Sequence, residues 1–225
     1  MNIIVTILLP QPQVQRLVCL AWASLLFDEL TLIKCNNDMK QFKPQPWFLP
    51  QPVIVLGTYD AQGNPNAMNV AWAGTWNMKE VMISMGNHAT TANLKACGDF
   101  TIAFATVETM QAADYVGIVS AQNDPQKMAR TGWHAERARQ VNAPVFTCFP
   151  VTFECRIKEK LNESPTGCFI IAEVLNIQVD ENYLGDDGMP DIEKMQLITY
   201  DPVRHNYVAL GKTVGKAFAC GKSLQ

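Results

Sequence analysis

Residues 63–93, GNPNAMNVAWAGTWNMKEVMISMGNHATTAN, constrain this chain more than any other stretch. Polar side chains able to hydrogen-bond a phosphate or a heteroaromatic ring (Asn66, Asn69, Ser84, His88, Thr90, Thr91, Asn93) stand between apolar runs with the character of barrel strands. That mixture suits a bound cofactor better than a plain core.

Three pieces build the stretch. Residues 53–59 are β-branched and apolar, residues 60–65 have turn chemistry, and residues 67–76 return as a second strand, so the pattern predicts a hairpin. After a polar break at 77–80, residues 81–85 form another strand. Gly86-Asn87-His88 then leads to Thr90 and Thr91, either of which can cap a short helix ending at Cys97 before Gly98. The start of such a helix offers free N–H groups and partial positive charge, a natural phosphate seat. Taken singly, each residue has a plainer reading: Thr-Thr is a cap, and Asn is a turn former. Their concentration in one stretch favours binding.

The match to a known pattern runs well past this stretch. Residues 114–127, DYVGIVSAQNDPQK, contain a V-G-I-x-S segment followed by a loop with a lysine, and Thr131-Gly132-Trp133, Ala143-Pro144, Phe153-Glu154-Cys155, Thr166-Gly167, Ala172-Glu173-Val174 and Tyr207-x-x-Leu210-Gly211 follow in order. This series, over about residues 44–220, resembles the flavin reductase-like domain family, the FMN-binding split-barrel proteins that include flavoredoxin. The resemblance implies a mainly β fold with short helices, a split β-barrel, and FMN as cofactor. By the same resemblance the strand at 66–72 (Asn66, Ala67, Met68, Asn69, Val70, Ala71, Trp72), the turn from Ser84 through Met85 and Gly86 to His88, and Thr90, Thr91, Asn93 and Lys127 are the cofactor-binding residues.

Within that set, backbone N–H groups of residues 66–71 and 84–86 would address the ring edge and the ribityl chain, while Lys127 would reach the phosphate. The family pattern has a hydroxyl residue where this chain has Asn69, whose amide donates at a different reach. Trp72 resembles a tryptophan near the phosphate end; its plainer reading is a core or interface residue. Relatives of this kind pair as homodimers, and exposed-capable Trp47, Trp76 and Trp133 are compatible with a dimer face. The implied activity is that of a flavin-dependent oxidoreductase, passing electrons from NAD(P)H or a redox protein. An FMN-binding carrier or sensor without turnover, and a flavin-free barrel serving as an interaction module, are the alternatives.

Composition narrows the field further. A chain of 225 residues, 48% hydrophobic, is compatible with one barrel-type domain. Net charge of −3 with scattered Lys and Arg gives no nucleic-acid footprint. Seven cysteines without a C-x-x-C pair argue against a disulfide framework or structural zinc, and point to reduced, mostly buried thiols in the cytoplasm. Three histidines, none in an H-x-x-x-H arrangement, leave a catalytic metal little support. The C-terminal Gly215 to Ser223 run has five residues between its glycines where a P-loop needs four. No G-x-G-x-x-G fingerprint and no G-x-S-x-G elbow is present.

Residues 1–38 differ from the rest: two apolar stretches broken at Pro10-Gln11-Pro12, each too short for a membrane span, with no basic segment ahead of the first. They read as an accessory or spurious N-terminal extension, with the domain at 39–225. Residues 42–50 are too proline-rich for helix and read as extended over the barrel surface. Strands are expected at 100–105, 151–159 and 168–179, with a turn at 162–167 and a surface loop at 180–191. Helices are expected at 108–116, over a barrel mouth, and at 126–130, where Lys127 and Arg130 would stand near each other.

Overall fold

Two strands open the described fold, β1 (Gln51–Pro52) and β2 (Ile54–Tyr59), and Gly63 in a left-handed conformation helps turn the chain back into β3 (Pro65–Val70). Next come β4 (Ala73–Asn77), β5 (Glu80–Gly86), helix α1 (Ala89–Cys97) and β6 (Asp99–Phe104). Helices α2 (Met110–Ile118) and α3 (Lys127–Thr131) precede the short pair β7 (Ala135–Arg137) and β8 (Pro144–Phe146). A long hairpin follows, β9 (Val151–Ser164) with β10 (Gly167–Val179), then α4 (Ile192–Met195), β11 (Ile198–Asp201) and β12 (Asn206–Ala209). The structure is a computed structural model, and it describes residues 39–164 and 167–224.

The chain divides into two units, Met1–Gln45 and Pro46–Gln225. Of the first, residues 39–45 are described, and they are exposed and without regular structure. The reading made of residues 1–38, like that made of Cys19 and Cys35, falls outside the described residues.

Seven strands of the second unit form one antiparallel sheet in the order β3-β2-β6-β9-β10-β5-β4. Its two edge strands, β3 and β4, are separated in sequence by Ala71 and Trp72 alone. A sheet whose edges are joined by so short a link must curl until they meet at that corner, and away from it they diverge. The result is a barrel split along one side. The single strand expected at 67–76 is therefore two strands on opposite edges; their junction is pinned where the Ser84 N–H donates to the Trp72 carbonyl at 2.8 Å.

Alternation sorts the side chains between two layers. Ile54 and Leu56, Met68 and Val70, Ile83 and Met85, Phe100 and Ile102, Cys155, Cys168 and Ile170 fill the barrel interior, joined by Leu94 of α1. Val53, Val55, Ala67 and Ala103 face outward and pack with Ala113 and Val116 of α2, Phe146, Phe149 and Ile198. So α2 covers the outer wall rather than a barrel mouth, and it is α1 that contributes to the interior.

Local differences from the expected elements have local causes. The β9–β10 pairing runs on to Ser164 opposite Gly167, so the connection is shorter than residues 162–167. The loop at 180–191 carries a 3-10 turn at Glu181–Tyr183 and a bridge between Leu184 and Pro190. Of the described cysteines only Cys155 and Cys168 are buried; Cys97, Cys148 and Cys220 are exposed, which corrects the expectation of mostly buried thiols.

Candidate functional site

The site grows out of the split edge. Strand β3 pairs with β2 on one side only, and the Ala67 carbonyl accepts from Lys127 Nζ at 2.7 Å instead of from a neighbouring strand. Strand alternation then turns the N–H groups of Ala67 and Asn69 toward the same open side. Facing that edge is the N-terminus of α1. His88, with an extended backbone, is the N-cap, and its N–H donates to the Thr91 hydroxyl at 3.2 Å, while Thr91 donates to the Gly86 carbonyl at 2.7 Å. Thr91 thus reaches back to the cap from inside the helix. The expectation that Thr90 or Thr91 would be the cap is corrected: the turn after β5 ends one residue before the helix, at His88.

With the first helical bond running from the Ala92 N–H to the His88 carbonyl, the N–H groups of Ala89 and Thr90 have no partner within the helix. They border a cavity of about 140 Å³ that is also lined by Asn66, Met68, His88, residues 116–121 and Lys127. Three observations bear on what this cavity could hold. Lys127 is 3% exposed, pairs with no carboxylate among the described residues, and is pushed down to about 8 by burial. The Asn66 side chain donates to Thr90 Oγ1 at 3.1 Å, leaving the Thr90 proton to donate elsewhere. And Asn66 Oδ1 is a buried acceptor without a partner. A buried cation and an orphaned amide are each costly unless something fills the space between them.

Depressions border the cavity on two sides. Toward β5 it meets a depression of about 190 Å³ formed by Met68, Asn69, Val70, Ala71, Trp72, Ser84, Met85, Gly86 and His88. At the other end lies one of about 530 Å³ bordered by Asp60, Asn64, Asn66, Asn93, Gln122 and Lys127. Shared lining residues make the three neighbours along one groove-like tract. Of the residues singled out from sequence, it brings together all but two: Ala67 is fully buried and contributes its backbone, and Thr91 is buried as the helix cap partner.

Several details depart from the sequence reading. The Ser84 N–H is already bonded to Trp72 and is not free to donate into the groove. Asn93 lines the groove and gives one amide proton to Thr58 Oγ1 at 3.0 Å, tying α1 to β2. Trp72 is 56% exposed, so it is no core residue, and it lies in the β5-side depression rather than with Lys127. Arg130 is exposed and pairs with Asp124 at 3.2 Å, so it does not share the cavity of Lys127. What sequence reasoning missed is the far wall, Gly117 through Ala121, which α2 and its C-terminal loop supply. Gly117 was the available signal: a Cβ there would stand 3.0 Å from the Asn69 Cβ, so a larger residue would push this wall off β3.

Fold and groove together define a split-barrel protein whose open edge is bordered by a buried lysine and a helix N-terminus. The flavin reductase like domain family model matches residues 48–199, and the chain belongs to that family. It is similar to flavoredoxin of Desulfovibrio vulgaris (Miyazaki F), at 32% identity and a TM-score of 0.76, over 82% of this chain and 100% of that one. Flavoredoxin from Methanosarcina acetivorans is 26% identical with a TM-score of 0.74, over 83% and 100%. Nitrilotriacetate monooxygenase component B from Bacillus cereus, 17% identical with a TM-score of 0.67 over 80% and 100%, shares the fold.

Proposed function

We propose that this chain is an FMN-binding oxidoreductase of the flavoredoxin type, which takes electrons from NAD(P)H or a redox protein. The observation that carries the reading is the unpaired, buried Lys127 beside the orphaned amide of Asn66 at a helix N-terminus. A phosphate monoester satisfies all of them at once: the ammonium, the Ala89 and Thr90 N–H groups and the turned Asn66 amide donate to its oxygens. Turning the Asn66 amide over directs its NH2 into the cavity, while its oxygen then accepts from Thr90.

From that anchor the groove runs past Met68 and His88 to the Ala71, Trp72 and Ser84 end, which would hold the ring. When bound, FMN supplies the redox chemistry. The protein's share is to fix the phosphate with a charge-assisted bond, to present the free β3 edge to the ribityl chain, and to flank the ring with Trp72. Purified protein is expected to be yellow, with extractable FMN near one per chain, and mixing with NADH or NADPH to bleach it rapidly. Colourless protein that takes up no FMN overturns the reading; slow bleaching with both donors leaves flavin binding standing and assigns a carrier. The homodimer and the cytoplasmic setting expected from the resemblance belong to the same proposal.

A further inference from the structure

The cavity of about 140 Å³ at the N-terminus of α1 has in its wall an amine that flavin binding uses only as a charge. We propose that Lys127 is a modification site, taking an acyl group from a small acyl phosphate that seats its phosphate in this cavity. The proposal rests on the phosphate reading of the cavity given above, and adds to it a reaction that flavin binding does not need.

The geometry joins a nucleophile to a seat for the leaving group. Lys127 lines the cavity at 3% exposure, and its Nζ donates to the Ala67 carbonyl at 2.7 Å. A neutral amine keeps that bond and has a lone pair left for the cavity. The Ala89 and Thr90 N–H groups, without partners in the helix, and the turned amide of Asn66 are donors that do not depend on the lysine charge, so a phosphate stays seated when the amine is neutral. Burial without a carboxylate partner pushes Lys127 down to about 8, so part of the amine is neutral near neutral pH.

In a seated acyl phosphate the carbonyl carbon is one bridging oxygen away from the phosphorus, in the same small space as the amine. The nitrogen attacks that carbon, the bond from carbon to the bridging oxygen breaks, and inorganic phosphate leaves with the electron pair while the nitrogen gives its proton to water. An amide on Lys127 results, and nothing is oxidised or reduced. Holding the two groups together removes the cost of their meeting, and donors aimed at the phosphate stabilise the charge that gathers on it as it leaves. The product has lost the positive charge, and its acyl group takes up space in the phosphate seat, so the modification blocks flavin loading.

The plainer account is that Lys127 only pairs with phosphate and that acylation follows exposure. On that account Lys127 reacts last, after exposed lysines such as Lys79, Lys212 and Lys216. The proposal reverses the order. It also requires a small donor, because a side chain this buried is out of reach of a transferase but not of a molecule the size of the cavity.

The test treats flavin-stripped wild-type protein with acetyl phosphate and follows each lysine by peptide mass spectrometry. Lys127 is expected to be acetylated at least tenfold faster than Lys79, Lys212 or Lys216. Added inorganic phosphate should slow Lys127 severalfold and leave the others unchanged, and acetic anhydride, which has no phosphate to seat, should show no preference for Lys127. Protein labelled at Lys127 should bind FMN at least tenfold more weakly. Labelling of Lys127 no faster than of the exposed lysines, a preference that phosphate does not reduce, or FMN affinity unmoved by labelling overturns the proposal and leaves flavin binding standing. Unlabelled wild-type protein that takes up no FMN, while Lys127 still reacts first and phosphate still competes, counts against the flavin reading and supports the modification site.

Discussion

Lys127 concentrates the physics of this site in one side chain. Its burial without a carboxylate partner lowers its pKa to about 8 from 10.5, which means that the empty site holds the charged form at a cost. The sign follows: with the folded value below the unfolded one, the destabilising contribution is full below about pH 8 and fades as pH rises toward 10.5. Phosphate reverses the balance by pairing with the charge. Binding of FMN is therefore expected to take up a proton above about pH 8 and none from this group near neutrality, readable by calorimetry in buffers of different ionisation enthalpy. Lys127→Met should weaken FMN by roughly 10- to 100-fold, the loss of one charged hydrogen bond worth about 1.5–3 kcal/mol. It should at the same time raise the melting temperature of the flavin-free protein. A fall in both would mean that Lys127 is structural.

The same residue shows where sequence reading succeeds and stops. A lysine in the loop after the V-G-I-x-S segment stands out through family resemblance as a candidate phosphate ligand, but its burial does not, because lysines are ordinarily exposed. Asn66, Thr90 and His88 were legible as polar residues out of keeping with a plain core. The orphaned oxygen of Asn66, and the division of labour in which Thr91 braces the helix cap while Thr90 faces the cavity, depend on side-chain directions that spacing alone does not fix.

Among the elements, β2 and the loop between β7 and β8 are tied into the sheet beneath the site. Gly57 in β2 leaves room for the Thr101 hydroxyl, which donates to the Pro144 carbonyl at 2.6 Å; a Cβ there would come within 2.5 Å of Thr101 Oγ1 and 2.9 Å of that carbonyl. Gly57→Ala is expected to cost about 1–3 kcal/mol of unfolding free energy by overpacking, measured by urea denaturation. The loop is clamped by two acids. Glu154, fully buried, accepts from the Gln140 N–H at 2.5 Å, from Asn176 at 2.7 Å and from Gln178. Asp99 accepts from the Asn142 N–H at 2.8 Å and twice from Arg156.

Burial opposes ionisation of both acids, but their donors outweigh it and hold each below the ordinary carboxylate value. Their stabilisation is thus complete above the unfolded carboxylate range and lost as pH falls through the folded values. Glu154→Gln should destabilise the protein at neutral pH and flatten its acid unfolding profile. An unchanged profile would assign the acid sensitivity elsewhere. Strand alternation in residues 54–56, 100–104 and 153–157 was enough to place these elements from sequence. The break at Ala71-Trp72 was not visible, since the one glycine of the run, Gly74, lies past the corner and inside β4, and the corner is imposed by closure of the whole sheet.

At the scale of the molecule, one arrangement links the fold to the proposed function: a sheet curled until its edges meet at one corner leaves an open β3 edge beside a helix N-terminus, and the unpaired charge sits between them. Among the described residues no helix is long and apolar enough to cross a membrane. Ligand binding to such a preformed groove should stabilise the whole sheet by mass action, by about 2.7 kcal/mol at a free FMN concentration a hundredfold above Kd. The most direct measurement is a fluorescence titration of FMN into flavin-stripped wild-type protein and the Lys127→Met variant at pH 7. The predicted result is one site per chain in the wild type and a loss of roughly 10- to 100-fold in affinity in the variant. Absence of binding to the wild type, or equal affinity in both proteins, would contradict it.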